Sequence, residues 1–225
     1  MQYCNKRLHV SFGFYLFSLI SISVIFTACQ HPKKDTLPYY NSADLTPKWY
    51  TENQLDTLNL HTITSFHFTD QQGNRISNET IKDKIYVANF FFTICPSICP
   101  TMTQNLIAVQ EAFKNDKAIV MLSHSVMPAT DSVAQLKKYA TRWKINNQQW
   151  HLLTGNKEEI YSLARQSYFA EKEIGLQKDK NQFLHTENAF LIDKKGHIRG
   201  VYNATLPLDI ENLISDIHLL KEEPE

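Results

Sequence analysis

KIYVANFFFTICPSICPTMTQNLIAVQEAF, residues 84–113, decides the fold. Its first ten residues, Lys84 to Thr93, are an apolar run of strand length, rich in β-formers and aromatics. A run without polar alternation predicts a central strand buried on both faces. Leu106, Val109, Ala112 and Phe113 then recur at helical spacing. Between strand and helix stand Cys95 and Cys99, each followed by a proline. A residue before proline avoids the α conformation, which predicts Cys95 in a loop. Pro100 suits the first position of a helix, which predicts Cys99 at the N-cap. A thiol there faces the positive end of the helix dipole, so a lowered pKa is expected for Cys99.

The flanking sequence repeats the pattern. KAIVMLSHSV (117–126) is a second buried strand, and DSVAQLKKYATRW (131–143) a helix with Asp131 as N-cap. WHLLTG (150–155) is a short strand, and NKEEIYSLARQSYF (156–169) a helix capped by Asn156. NAFLIDKKGHIRGVYN (188–203) is strand, turn and strand, and LDIENLISDIHLL (208–220) a closing amphipathic helix. Upstream, ITSFHFTDQQGNRI (63–76) reads as a β-hairpin. The order predicts an α/β domain: a central mixed sheet, mainly parallel, flanked by helices, with an N-terminal hairpin extension. In open α/β sheets sites form beyond the C-terminal strand ends, where the two cysteines stand.

The N-terminus belongs to export. Lys6 and Arg7 precede an uncharged apolar run, Val10 to Ala28, that ends in FTAC. Two readings fit. In one, residues 1–28 are a secretory signal and Cys29, following small residues as in a bacterial lipobox, becomes the acylated first residue. Phe26 departs from the aliphatic residue usual three before that cysteine. In the other, the run is an uncleaved anchor helix, since about 20 apolar residues span a bilayer. Both place the domain outside the cytoplasm, tethered to a membrane. Residues 29–57, polar at first and with Pro32, Pro38 and Pro47, are expected to be a tether, and 58–225 the folded domain. The 225 residues carry 23 basic and 23 acidic side chains, so no basic excess points to nucleic acid.

Cys4 lies in the export segment and Cys29 would carry lipid, which leaves Cys95 and Cys99 as the only thiols of the domain. One close pair is not a disulfide framework, and a bridge over so short a loop adds little stability. A redox dithiol and a metal site both remain open. On one helical turn the two Cβ atoms would lie about 5–6 Å apart, against about 3.5–4.5 Å for a disulfide. Two thiolates select Cu(I), and an added imidazole also suits Cu(II) or zinc. Of nine histidines, His9 and His31 fall ahead of the domain; His61, His67, His151, His197 and His218 read as structural or solvated. His124, near the end of the second buried strand, and His185, just before the terminal hairpin, remain as equal candidates.

The stretches FHFTDQQGNRI, YVANFFFTICPSICPTM, LKKYA, LLTGNKEEIYSLA and FLHTENAFLIDKKGHIRGVYN together resemble, in order, the Sco/SenC family of copper-binding proteins. The resemblance covers roughly residues 62–220. It implies a thioredoxin-like fold and copper held by Cys95, Cys99 and His185. It also implies a membrane-tethered protein that helps assemble the CuA centre of cytochrome c oxidase, with oxidase subunit II or another copper protein as partner. Some members act as thiol-disulfide reductants on that pathway, a role that would fall to Cys95 and Cys99. One departure stands out. Where the family carries an aspartate before proline, this chain has Met127 before Pro128, although the following Asp131 fits. Met127 is then either a packing residue or a soft ligand near copper.

Overall fold

A computed structural model describes residues 36–170 and 186–223. A short helix α1 (Glu52–Leu55) precedes the hairpin β1 (His67–Thr69) and β2 (Arg75–Ser77). The main body follows: β3 (Ile85–Phe91), α2 (Ile98–Ala112), β4 (Ile119–Ser125), α3 (Val133–Trp143), β5 (Trp150–Leu153) and α4 (Lys157–Ser162). The last of these widens into a π-helical turn, Leu163–Ser167. Strands β6 (Asn188–Ile192) and β7 (Ile198–Asn203) and helix α5 (Pro207–Glu222) close the chain.

The five-stranded sheet has the order β5-β4-β3-β6-β7. Strands β3, β4 and β5 are parallel, whereas β6 runs antiparallel to β3 and β7 antiparallel to β6. All seven residues of β3 are buried, as its unbroken apolar run requires. Alternation divides them between two cores. Ile85, Val87 and Phe91 meet α2, α3 and α5 through Met102, Leu106, Tyr139 and Leu213. Tyr86, Ala88 and Phe90 face Phe66, Phe68, Ile160 and Tyr168. The hairpin therefore closes the second face, where α4 alone would leave β3 and β4 exposed. Gln71 binds it to the edge strand by imitating a strand partner: its side-chain oxygen accepts from Leu152 N at 2.8 Å, and its amide donates to Trp150 O at 2.8 Å. Gly73, at φ +85°, makes the turn that brings Gln71 there, and Asp70 holds it by accepting from the backbone N–H groups of Gln72 and Asn74.

Two expectations differ from the structure. The stretch 37–50, read as tether, is packed on the domain. Leu37 is buried, Tyr40 N donates to Ile198 O, and Tyr39 bridges to Lys48. Arg199 explains the attachment. Its guanidinium is 3 % exposed, stacks 4.0 Å from the Tyr39 ring centroid, and donates to the carbonyls of Leu37 and Pro38. The low apolar content of this stretch hid a docking made through backbone groups. The second difference is the cap of α3, which is Ser132, accepting from Gln135 N at 3.3 Å. Asp131 is turned inward instead. The cap of α4 is Asn156, as its sequence predicts.

Candidate metal and redox centre

Strand β3 ends at Phe91, and the chain turns through Phe92–Ser97 before α2 begins at Ile98. Cys95 stands in this loop, half-buried, and Cys99 is one residue inside the helix and buried. Pro100 is the third helical residue, so the helix starts two residues earlier than the proline rule predicts. That shift inverts the expected chemistry. The orphan N–H groups of the first turn point at Cys95, not at Cys99. Partial burial works against ionisation of Cys95. Hydrogen bonds from the backbone of Cys99, Ser97 and Ile98 and from the Cys99 thiol outweigh it and hold the Cys95 thiol below its ordinary value. Burial, and the hydrogen bond it gives Cys95, push the Cys99 thiol up to about 12. The pair is in contact, with Cys95 the more acidic thiol and Cys99 the donor that keeps its proton.

A buried carboxylate fixes the loop. Asp131, fully buried, accepts from Thr93 N at 3.2 Å, from Thr93 Oγ1 at 2.5 Å and from Ser125 Oγ at 2.6 Å. Gln135 of α3 donates to Thr93 Oγ1 at 3.2 Å. Thr93 is two residues before Cys95, so the ends of β3 and β4 and the first turn of α3 together position the thiol. Sequence reasoning fitted Asp131 to the family pattern and gave it a capping role, without placing it beside the site. An aspartate ahead of a helix suits both tasks.

The SCO1/SenC family profile matches residues 56–222. The chain belongs to the SCO1/SenC family. A SCO1 protein homolog of Bacillus subtilis (strain 168) is 31% identical over 164 residues, 72% of this chain and 83% of that protein. Three solved SCO1/SenC relatives share the architecture. A SCO1/SenC family lipoprotein of Bacillus anthracis str. Ames superposes with a TM-score of 0.63 at 29% identity, over 72% of this chain and 96% of that one. BsSco, a Sco family cytochrome c oxidase assembly protein with a disulfide switch, gives 0.60 at 29%, over 72% and 95%. Copper-bound ScoI of Arabidopsis thaliana gives 0.54 at 25%, over 69% and 97%. The sheet order and flanking helices are the thioredoxin-like fold that the resemblance implied.

The SCO1/SenC frame separates the remaining candidates. His185 and Cys29 lie outside the described residues. Among the described residues no third His, Cys, Asp or Glu joins the two cysteines in a metal-sized group. His124 is on the wrong face. It pairs with Phe90 in the register of β3 and β4 and is enclosed by the rings of Phe66, Phe68, Phe90 and Tyr168. Cys99 belongs to the core on the other side of the sheet. Met127 packs against the same aromatic core as His124, which supports its reading as a packing residue. His61, His151 and His197 have structural partners in Ser167 O, Asp70 and Asp193.

Neither ring nitrogen of His124 has a hydrogen-bond partner, and burial pulls its pKa down from 6.5 to about 3. Between those values the unfolded chain takes up a proton that the folded chain refuses. The stability this neutral imidazole permits is whole above pH 6.5 and is lost progressively as pH falls toward 3. At pH 5 the loss should be about 2 kcal/mol, from 1.36 kcal/mol per pH unit. Urea unfolding of His124→Leu should show a correspondingly flatter dependence on pH between 7 and 5. Equal slopes for the two proteins would exclude His124 as the group.

Proposed function

We propose that this chain is a membrane-tethered, extracytoplasmic copper chaperone that serves assembly of the CuA centre of cytochrome c oxidase, taking copper as cargo on Cys95, Cys99 and His185. The observation that carries the reading is the thiol pair itself. Two soft donors in contact, one with its thiol pKa lowered by the N–H groups of a helix N-terminus, match what Cu(I) selects. Cys99 keeps its proton until an electrophile arrives, so metal uptake is accompanied by proton release and weakens as pH falls. The loop position of Cys95 lets the sulfur spacing change between the two states. Strand β6, which His185 precedes by three residues, starts beside the C-terminal end of β3, the end that carries Cys95. The relatives supply the rest: one is a copper-bound structure, one an oxidase assembly protein and one a lipoprotein. Acylated Cys29 is the proposed anchor; no helix among the described residues is long and apolar enough to cross a membrane.

Titration of the reduced chain with Cu(I) against a competing chelator tests this. One equivalent should bind tightly, and Cys95→Ala, Cys99→Ala and His185→Ala should each lose at least about tenfold in affinity, the scale of a lost ligand or its immediate support. Unchanged binding in both Cys95→Ala and His185→Ala would refute the ligand set.

The thiol asymmetry supports a second reading, reductant of exported cysteines. The Cys95 thiolate would attack one sulfur of a target disulfide and expel the other as thiolate. Cys99, giving up its proton, would then attack the Cys95 sulfur of the mixed disulfide. The target leaves as one thiol, which takes the Cys99 proton, and one thiolate, which water protonates, and Cys95 and Cys99 are left bridged, a two-electron exchange. Reduction of a CuA-site peptide disulfide at an unaltered rate by His185→Ala would favour this reading over the first.

A further inference from the structure

We propose that the end of the domain opposite the cysteine pair docks on an anionic lipid surface, so that Cys95 and Cys99 face away from the membrane; this rests on the reading that the chain is anchored ahead of residue 36. The sheet defines the two ends. Cys95 lies beyond the C-terminal end of β3, whose seven residues span about 23 Å. Among the described residues, loops 92–97, 126–132, 154–156, 186–187 and 203–206 gather at the cysteine end and hold no lysine, no arginine and two carboxylates, with Lys157 the one lysine beside them, at the start of α4. Loops 82–84, 113–118, 144–149 and 193–197 and the end of α5, 221–223, gather at the other and hold eight lysines and five carboxylates.

The outward charge is more one-sided than that count. Asp193 and Glu223 are occupied by Arg199, and Asp116 by Lys221. Lys82, Lys117, Lys144, Lys194 and Lys195 are exposed. Lysines after α2 and α3 would be expected at helix C-termini in any case. Lys82 and Lys84 precede a strand, and Lys194 and Lys195 sit in the β6–β7 turn, so no helix end accounts for these four. The same end receives the N-terminal segment. Arg199 holds the carbonyls of Leu37 and Pro38, and Leu37 N donates to Glu223 Oε1. Cys29 is seven residues ahead of Thr36, a span of at most about 25 Å. A chain anchored there enters the domain at its lysine-bearing end. Near an anionic bilayer each lysine within a Debye length adds about fivefold to association.

Lysine acylation of the full chain, mixed with phosphatidylcholine vesicles or with vesicles one part phosphatidylglycerol, reads the docking directly by mass spectrometry. Lys82, Lys117 and Lys195 should react at least about threefold more slowly on the anionic vesicles at low salt, and the protection should vanish at high salt. Lys157, at the cysteine end, should react equally on both. The double variant Lys117→Glu, Lys195→Glu should lose the protection of Lys82. Equal rates on the two lipids, or protection of Lys157 instead, would overturn the proposal. Flotation with the neutral vesicles reports the anchor separately. A chain that stays behind refutes anchoring, and its footprint on anionic vesicles added from solution still decides the docking.

Discussion

Iodoacetamide at neutral pH should label Cys95 and leave Cys99 almost untouched. Only the thiolate reacts, and the two thiols stand on opposite sides of the ordinary value of 9.0: Cys95 below it, Cys99 at about 12. Their thiolate populations therefore differ by more than about a thousandfold. A less basic thiolate is also a weaker nucleophile, with a Brønsted slope of about 0.4–0.5, which returns roughly half of that on a logarithmic scale and leaves about thirtyfold. Burial of Cys99, 4 % exposed, widens the gap further. Peptide mapping after timed alkylation measures both rates in one sample. Comparable labelling would mean that the backbone N–H groups of Ser97 and Ile98 do not hold the Cys95 sulfur, and both functional readings would lose their starting state. Cys99→Ala should slow Cys95 as well, since a donor to its sulfur is lost, whereas Cys95→Ser should not rescue the reactivity of Cys99.

Arg199→Ala should be the most damaging single change outside the site. Its guanidinium satisfies Asp193, Glu223 and the carbonyls of Leu37 and Pro38, and covers Tyr39. Removing one member of a buried ion pair costs about 3–5 kcal/mol, because the charge left behind has lost its partner. Glu223, whose side chain is 15 % exposed, can turn toward solvent, which places the loss near the lower end, about 3 kcal/mol. Asp193 cannot escape as readily. It already accepts from Lys195 N and His197 N and from the His197 ring, so it stays in the β6–β7 turn. Chemical denaturation should show the loss, and limited proteolysis should show new cutting within 37–50. Resistance of that stretch in the variant would mean that Leu37 and Tyr40 hold it without the arginine.

How much of this was legible beforehand follows from the range of each interaction. Strands β3 and β4 were readable because burial on both faces demands an unbroken apolar run, which is local. The hairpin, the Asn156 N-cap of α4 and the length of α5 were readable because their signals are local too. Packing of 37–50 was not, because its partners, Ile198, Arg199 and Glu223, lie far along the chain, 161 residues for Arg199 to Pro38 and 186 for Glu223 to Leu37, and bind its backbone. A polar, proline-containing stretch looks alike whether solvent or a guanidinium satisfies its carbonyls. Asp131 shows a subtler limit. Its place before a helix is visible, but its burial against Thr93 and Ser125 depends on two strands meeting.

The cysteine pair divides along the same line. By itself the sequence determined that two thiols follow the central strand and open a helix, because the apolar run, the prolines and the helical spacing are all local. It also assigned the family, through motifs spread over most of the chain. Only the tertiary structure decided which sulfur is the more acidic. That depends on where the first helical N–H groups point and on which sulfur the core swallows. Moving the helix start by two residues moves the lowered pKa from Cys99 to Cys95. Only the tertiary structure separated His124 from the site as well, since a strand's alternation tells which residues share a face, but not which face the helix carrying Cys99 will cover.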